Sequence, residues 1–136
     1  MNKSALEGTR VLEFAKMVSG PYCSKLLADL GADVIKVEPP GGDPSRLSGP
    51  FPGTGRDPEQ SALFLYNNTS KRGVVLDFKK ADDLEGFKQL ISWADVLIDN
   101  HRPQVLENVG LDWETLHRLK PALVYTSITP YGRSGP

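Results

Sequence analysis

Short apolar runs alternate along the chain with segments of helical periodicity. Val11-Leu12-Glu13-Phe14 reads as a first strand. Residues 21–30 read as a helix, because Tyr22, Leu26, Leu27 and Leu30 recur at i, i+4, i+5 and i+8 and make one apolar face. Pro21 suits the first turn, where no N–H is needed, and Gly31 suits a left-handed exit. Val34-Ile35-Lys36-Val37 is a second strand, short and β-branched. Residues 62–66 form an apolar piece that the pattern assigns to neither helix nor strand. Val74-Val75-Leu76-Asp77-Phe78 is a third strand. The helix after it is expected to be capped by Asp82, with Glu85 three residues on. Its face is Leu84, Phe87, Leu90, Ile91 and Ala94. Val96-Leu97-Ile98 is a fourth strand, and residues 103–109 a short helix closed by Gly110. Asp112 caps a further helix, with Leu111 and Leu116 placed as a hydrophobic staple. Residues 123–128 are the last strand.

This order predicts an α/β protein with a parallel sheet. The strands are near-continuously apolar rather than alternating, as a sheet covered on both faces requires. Between residues 39 and 60 the pattern collapses. Six of the eleven prolines and five of the thirteen glycines fall there. That stretch is irregular and long for a connection within a domain. It is a functional loop, a cover or a disordered segment.

Composition narrows the function classes. With 136 residues and 39% hydrophobic positions, one core and one domain are expected. Lys plus Arg is 16 and Asp plus Glu is 17, a balance that argues against a nucleic-acid arm or a polybasic membrane patch. No run of about eighteen apolar residues exists to span a bilayer, and the first residues lack the apolar stretch of a signal peptide. One cysteine and two scattered histidines give no metal site and no internal disulfide. A cytoplasmic location is the expectation.

In open parallel sheets ligands bind at the carboxyl ends of the strands. The positions to inspect are therefore residues 15–20, 38–43, 77–80, 100–102 and 129–133. The first segment leads into a helix N-terminus able to hold a phosphate, or is an ordinary turn. Its single Gly20 falls short of a dinucleotide fingerprint or a P-loop. Glu38 sits where a ribose-binding acid would, and equally where a surface or capping acid would. Lys71 and Arg72 read by default as solvated turn residues, with phosphate contact the alternative. Arg102, beside a helix N-terminus, is an anion-site candidate. His101 alone does not establish a base. Cys23 reads as a packing residue. The pairs Asp82-Asp83 and Glu38 with Asp43 receive no acid–base role.

The block Leu27-Ala28-Asp29-Leu30-Gly31-Ala32-Asp33-Val34-Ile35-Lys36-Val37-Glu38-Pro39 closely resembles the opening of the family III CoA-transferases. The similarity continues through Ser70-Lys71-Arg72-Gly73-Val74-Val75-Leu76-Asp77, Ala94-Asp95-Val96-Leu97-Ile98-Asp99-Asn100, Arg102-Pro103 and Leu123-Val124-Tyr125-Thr126-Ser127-Ile128-Thr129-Pro130-Tyr131-Gly132. The resemblance implies a Rossmann-like open parallel sheet with helices on both faces, the N-terminal part of a larger domain. It implies coenzyme A or acyl-CoA as substrate, a carboxylic acid as partner substrate, and an interlocked homodimer. It carries CoA contacts onto Val18 and Ser19, Pro39, Leu76, Asp77, Phe78 and Lys79, then Asn100, His101 and Arg102, and finally Asn108. Some relatives have arginine at the positions of Pro39 and Asn108, so phosphate contacts there are lost. Arg102, Lys71, Arg72 and Lys79 are nearby substitutes. The nucleophilic aspartate of the family is expected beyond Pro136, so no catalytic residue is named.

The function expected is the CoA-binding portion of an enzyme that transfers CoA between carboxylic acids through an aspartyl intermediate. A racemase acting on 2-methylacyl-CoA and a non-catalytic binding or assembly module are the alternatives. A nucleotide-binding oxidoreductase is weaker, because the glycine fingerprint is missing.

Overall fold

Five of the apolar runs pair into one parallel sheet in the order β3-β2-β1-β4-β5. The computed structural model describes residues 4–133. The elements are β1 (Arg10–Phe14), α1 (Ser19–Asp29), β2 (Asp33–Glu38), α2 (Ala62–Asn67), β3 (Arg72–Val75), α3 (Ala81–Trp93), β4 (Val96–Asp99), α4 (Gln104–Glu107), α5 (Trp113–Leu119) and β5 (Val124–Ser127). The open α/β sheet with helices on both faces is the fold the sequence pattern predicts. The strand order reverses between β1 and β4, which makes the crevice at their carboxyl ends the switch point of the sheet.

Alternation along each strand sorts the side chains between two faces. Leu12, Phe14, Val37 and Leu97 point to the side covered by α3, α4 and α5, where Phe87, Ile91, Leu106, Leu111 and Leu116 complete the larger core. Val11, Val34 and Ile98 point to the α1 side, with Ala28 and Ala32. Register then places Glu13 beside Lys36, and Phe14 beside Asp99.

Helix α1 corrects the sequence reading. Tyr22, Leu26 and Leu30 are exposed, and the buried residues are Gly20, Pro21, Ser24 and Ala28. Small side chains at i, i+4 and i+8 bring the helix axis close to the sheet, so of the expected apolar face only Leu27 packs against the core and the rest faces out. The third strand also shifts. It spans Arg72–Val75, leaving Leu76 and Phe78 to turn toward the larger core from a loop. Helix α3 starts at Ala81 without a side-chain cap; Asp83 instead accepts the Asp77 N–H at 2.8 Å. The Asp112 cap forms, accepting the Thr115 N–H at 2.8 Å, and Leu111 and Leu116 are both buried.

The Pro/Gly segment is folded back rather than loose. It contains two 3₁₀ turns, Pro44–Leu47 and Pro58–Gln60. Arg46 clamps it, donating to both Glu38 oxygens at 2.7 and 2.8 Å. The same guanidinium lies 3.6 Å over the Phe64 ring of α2. Glu38, ambiguous by sequence, is thus a buried anchor for this loop.

Candidate active-site cleft

A buried charge network sits beneath the carboxyl ends of β1 and β2. Glu13 is fully buried, and each of its oxygens takes a lysine. Oε1 accepts from Lys36 Nζ at 2.7 Å, and Oε2 from Lys71 Nζ at 2.7 Å and Ser24 Oγ at 2.6 Å. Lys71, read from sequence as a solvated turn residue, has a side chain only 2% exposed. It also donates to the Pro21 and Asn67 carbonyls and to Asn68 Oδ1. Lys36 further donates to the Ala15 carbonyl at 3.0 Å. Its Nζ lies 2.8 Å from Asp43 Oδ2, closing a second buried ion pair. Two lysines thus balance two carboxylates and tie β1, β2, α1, α2 and the Pro/Gly loop together.

This network shapes the turn between β1 and α1. Met17 adopts a left-handed φ of 65°. Its N–H donates to Asp43 Oδ1 at 3.0 Å. From the other side Asn100 Oδ1 accepts the Lys16 N–H at 2.9 Å. Its Nδ2 donates to the Lys16 carbonyl at 2.8 Å and to Ser19 Oγ at 3.1 Å. Two residues from distant loops therefore hold a backbone conformation that a non-glycine residue resists.

Three adjoining hollows open above this turn, and His101 lines all of them. One of about 140 Å³ lies between Phe14, Lys16, Pro39 and Asp43. A second of about 220 Å³ is bounded by Pro39, Pro40, Leu76, Asp77, Phe78 and Val105. A third of about 510 Å³ runs between Lys16, Asn100, Arg102 and residues 128–132. The floor is aromatic: Phe14 stacks on Phe78 at 5.2 Å and on the His101 ring at 4.2 Å. Lys16 and Arg102 stand on the rim and make no ion pair among the described residues. An aromatic floor with cations at its edge that pair with none of the described residues suits an amphipathic anion.

The sequence candidates divide accordingly. Pro39, Leu76, Asp77, Phe78 and His101 share one hollow; Asn100, His101 and Arg102 share another. Val18 lies exposed just before α1, and Ser19 is held by Asn100. Lys79 and Asn108 line none of the three. The Lys79 N–H donates to Asp77 Oδ1 at 3.1 Å, and Asn108 ends α4. Lys16 was not among the sequence candidates. Among the described residues, no cluster of three His, Cys, Asp or Glu side chains could hold a metal ion. None of the described helices is long and apolar enough to cross a membrane.

The buried carboxyls set an acid limit on this architecture. Desolvation works to raise Asp43, but Lys36 and the N–H groups of Ser45 and Met17 outweigh it and hold the carboxyl below its usual value. Glu38 is lowered in the same manner: desolvation is outweighed by Arg46 and the Asp43 N–H. Burial pulls the Lys71 ammonium down, with Glu13 opposing. A carboxyl with a depressed folded value binds fewer protons than it does in the unfolded chain. Its stabilisation is complete above the ordinary carboxylate values near ~4 and is lost as pH falls through the folded value. The urea midpoint should therefore drop on acidification from about pH 5 to about pH 3. Asp43→Asn should start less stable and show a shallower drop.

Comparison with known proteins locates the chain. A family model described as CoA-transferase family III matches residues 6–136. Succinate–glutarate CoA-transferase of Agrobacterium fabrum is 42% identical over 137 residues, covering 98% of this chain and 34% of its own length. Acetyl-CoA:oxalate CoA-transferase of Acetobacter aceti is 37% identical over 135 residues, covering 98% and 33%. The crystal structure of a CAIB/BAIF family protein from Brucella suis superposes with a TM-score of 0.90 at 39% identity, over 99% of this chain and 36% of that one. The chain thus spans about a third of the length of these relatives.

Proposed function

The chain belongs to CoA-transferase family III, and on that premise we propose that its switch-point cleft binds coenzyme A for transfer between carboxylic acids. The observation that carries this reading is the aromatic floor of Phe14, Phe78 and His101, with Lys16 and Arg102 lining the adjoining hollow and making no ion pair among the described residues. Phosphate groups of CoA would meet Lys16, Arg102 and the first turn of α1 at Ser19, where backbone N–H groups and the helix dipole favour an anion. The apolar parts of the ligand would lie against Pro39, Leu76 and Phe78.

The chain's own role is to bind and orient. Glu13, Glu38, Asp43 and Asp99 are buried and engaged in hydrogen bonds and ion pairs, so none is offered as the acyl-carrying carboxylate. That aspartate is expected beyond Pro136. The two relatives above are named as transferases, which favours transfer over racemisation. The same reading includes a homodimer in the cytoplasm. The exposed strip of Tyr22, Leu26 and Leu30 supports an assembly of that kind, and sedimentation equilibrium would measure it.

Isothermal titration of the chain with CoA tests the proposal. Saturable binding is expected. Arg102→Ala should weaken it about tenfold, the scale of one charge-assisted contact. Absence of binding at millimolar CoA would overturn it.

A further inference from the structure

We infer that His101 is fixed as the Nδ1–H tautomer, so that its Nε2 faces the ligand as a hydrogen-bond acceptor, and that Asp99 is the residue that positions it. The ring's Nδ1 lies 3.1 Å from the Phe14 carbonyl and 3.1 Å from Asp99 Oδ1. A carbonyl can only accept, so a proton on Nδ1 satisfies this contact and a lone pair there would not. Asp99 is 1% exposed, and donors already surround it. The His101 N–H donates to Oδ1 at 2.7 Å and Tyr125 O–H to Oδ2 at 2.9 Å. Desolvation, with Asp99 adding to it, pushes the Tyr125 phenol up to about 12, so it stays a donor. Arg133 Nη1 donates to the same hydroxyl at 2.7 Å, which orients its proton toward Asp99.

Neutral imidazole carries one N–H, so placing it on Nδ1 leaves Nε2 with a lone pair. Nε2 has no partner among the described residues, and the ring borders every hollow of the cleft. Stacking on Phe14 at 4.2 Å fixes the ring plane. The complementary ligand group is a neutral N–H or O–H donor. In CoA, which this inference takes from the function proposed above, the pantetheine amides and hydroxyl and the adenine amino group all qualify.

The test has an arm independent of CoA. Two-bond ¹H–¹⁵N correlation spectra of ¹⁵N-histidine-labelled chain should show the Nδ1–H tautomer at His101. The Nε2–H pattern, or that of a doubly protonated ring, would overturn the inference whether or not CoA binds. Adding CoA should then move the Nε2 resonance in the direction of an accepted hydrogen bond. Pantetheine and adenosine 3′,5′-bisphosphate, added separately, identify which half supplies the donor. A response to neither fragment nor to CoA, with CoA bound, would overturn this inference and leave the proposed function standing. His101→Phe keeps the stack and removes the acceptor, and should weaken CoA about tenfold; unchanged affinity would also overturn it. Asp99→Ala should admit the second tautomer and weaken CoA several-fold. Asp99→Asn, which can turn its carbonyl toward Nδ1, should restore both. Should Asp99→Ala fail to fold, the wild-type spectrum still decides.

Discussion

Lys36→Met is expected to destabilise the chain by about 3–5 kcal/mol, the scale seen when one partner of a buried ion pair is removed. Methionine keeps most of the volume of the lysine stem, so the loss isolates the ammonium. Without it, Glu13 retains Lys71 and Ser24, but Asp43 Oδ2 has no counter-charge left and no hydrogen-bond donor. An uncompensated carboxylate with a side chain 1% exposed must then protonate or find water. The effect spreads because Asp43 Oδ1 holds the Met17 N–H and the Ser45 N–H and hydroxyl. Loosening Asp43 frees both the left-handed turn and the start of the Pro/Gly loop, so CoA affinity should fall with stability. The acid dependence should also weaken at this site. With Lys36 gone, desolvation of Asp43 is opposed only by the Ser45 and Met17 N–H groups, so the carboxyl is held down less and less stability is lost on acidification. Urea unfolding at about pH 7 and about pH 3 measures both effects. Arg72→Ala is the contrast. Its pair with Asp33 has side chains 63% and 47% exposed, and its removal should cost below ~1 kcal/mol. Equal losses for the two variants would mean that the Glu13 network is solvated.

That network was half legible in the sequence. Parallel strands covered on both faces leave little room for charge, and each of the first two strands carries one in an apolar run: Glu13 in Val-Leu-Glu-Phe and Lys36 in Val-Ile-Lys-Val. Matched placement of opposite charges in adjacent strands is a pairing signal that the hydrophobic pattern alone passed over; the register places Glu13 opposite Lys36. Lys71 carried no such mark. Only the approach of α2 to α1 encloses it, and local polarity of the segment suggested solvent. The sheet itself was readable because hydrophobic runs are long where strands are central. Helix α1 was misread for the converse reason. Its largest apolar residues set the strongest periodic signal, yet close packing selected the row of smallest ones. The cleft was legible as a place, the carboxyl ends of the strands. Its contents depended on side chains reaching across from other loops, such as Asn100 clamping Lys16, which no local pattern encodes.

Gly20→Ala is expected to cost roughly 3 kcal/mol, toward the upper end of overpacking penalties, and to abolish measurable CoA binding. A Cβ at Gly20 would stand 2.3 Å from the Ala15 Cβ and 3.5 Å from Asn100 Cγ. Ala15 cannot rotate its methyl carbon away, because that atom is fixed to the backbone. Relief therefore requires the β1–α1 turn to open by about 1 Å, from 2.3 Å to ordinary contact beyond 3.4 Å. Opening the turn pulls Lys16 and Ser19 from Asn100 and Met17 from Asp43, the contacts that place the α1 N-terminus beside the cleft. Gly20 thus serves close approach rather than a phosphate-wrapping loop, which explains why a single glycine suffices here. Gly86→Ala supplies the opposite expectation. It lies on α3, has nothing within 4 Å of the added carbon and no left-handed φ. Helix propensity alone should then stabilise the chain by about 0.5–1 kcal/mol. Thermal unfolding and CoA titration of both variants separate the two roles. A stable, CoA-binding Gly20→Ala chain would show that the turn yields without cost, and that the clamps from Asp43 and Asn100 do not position the site.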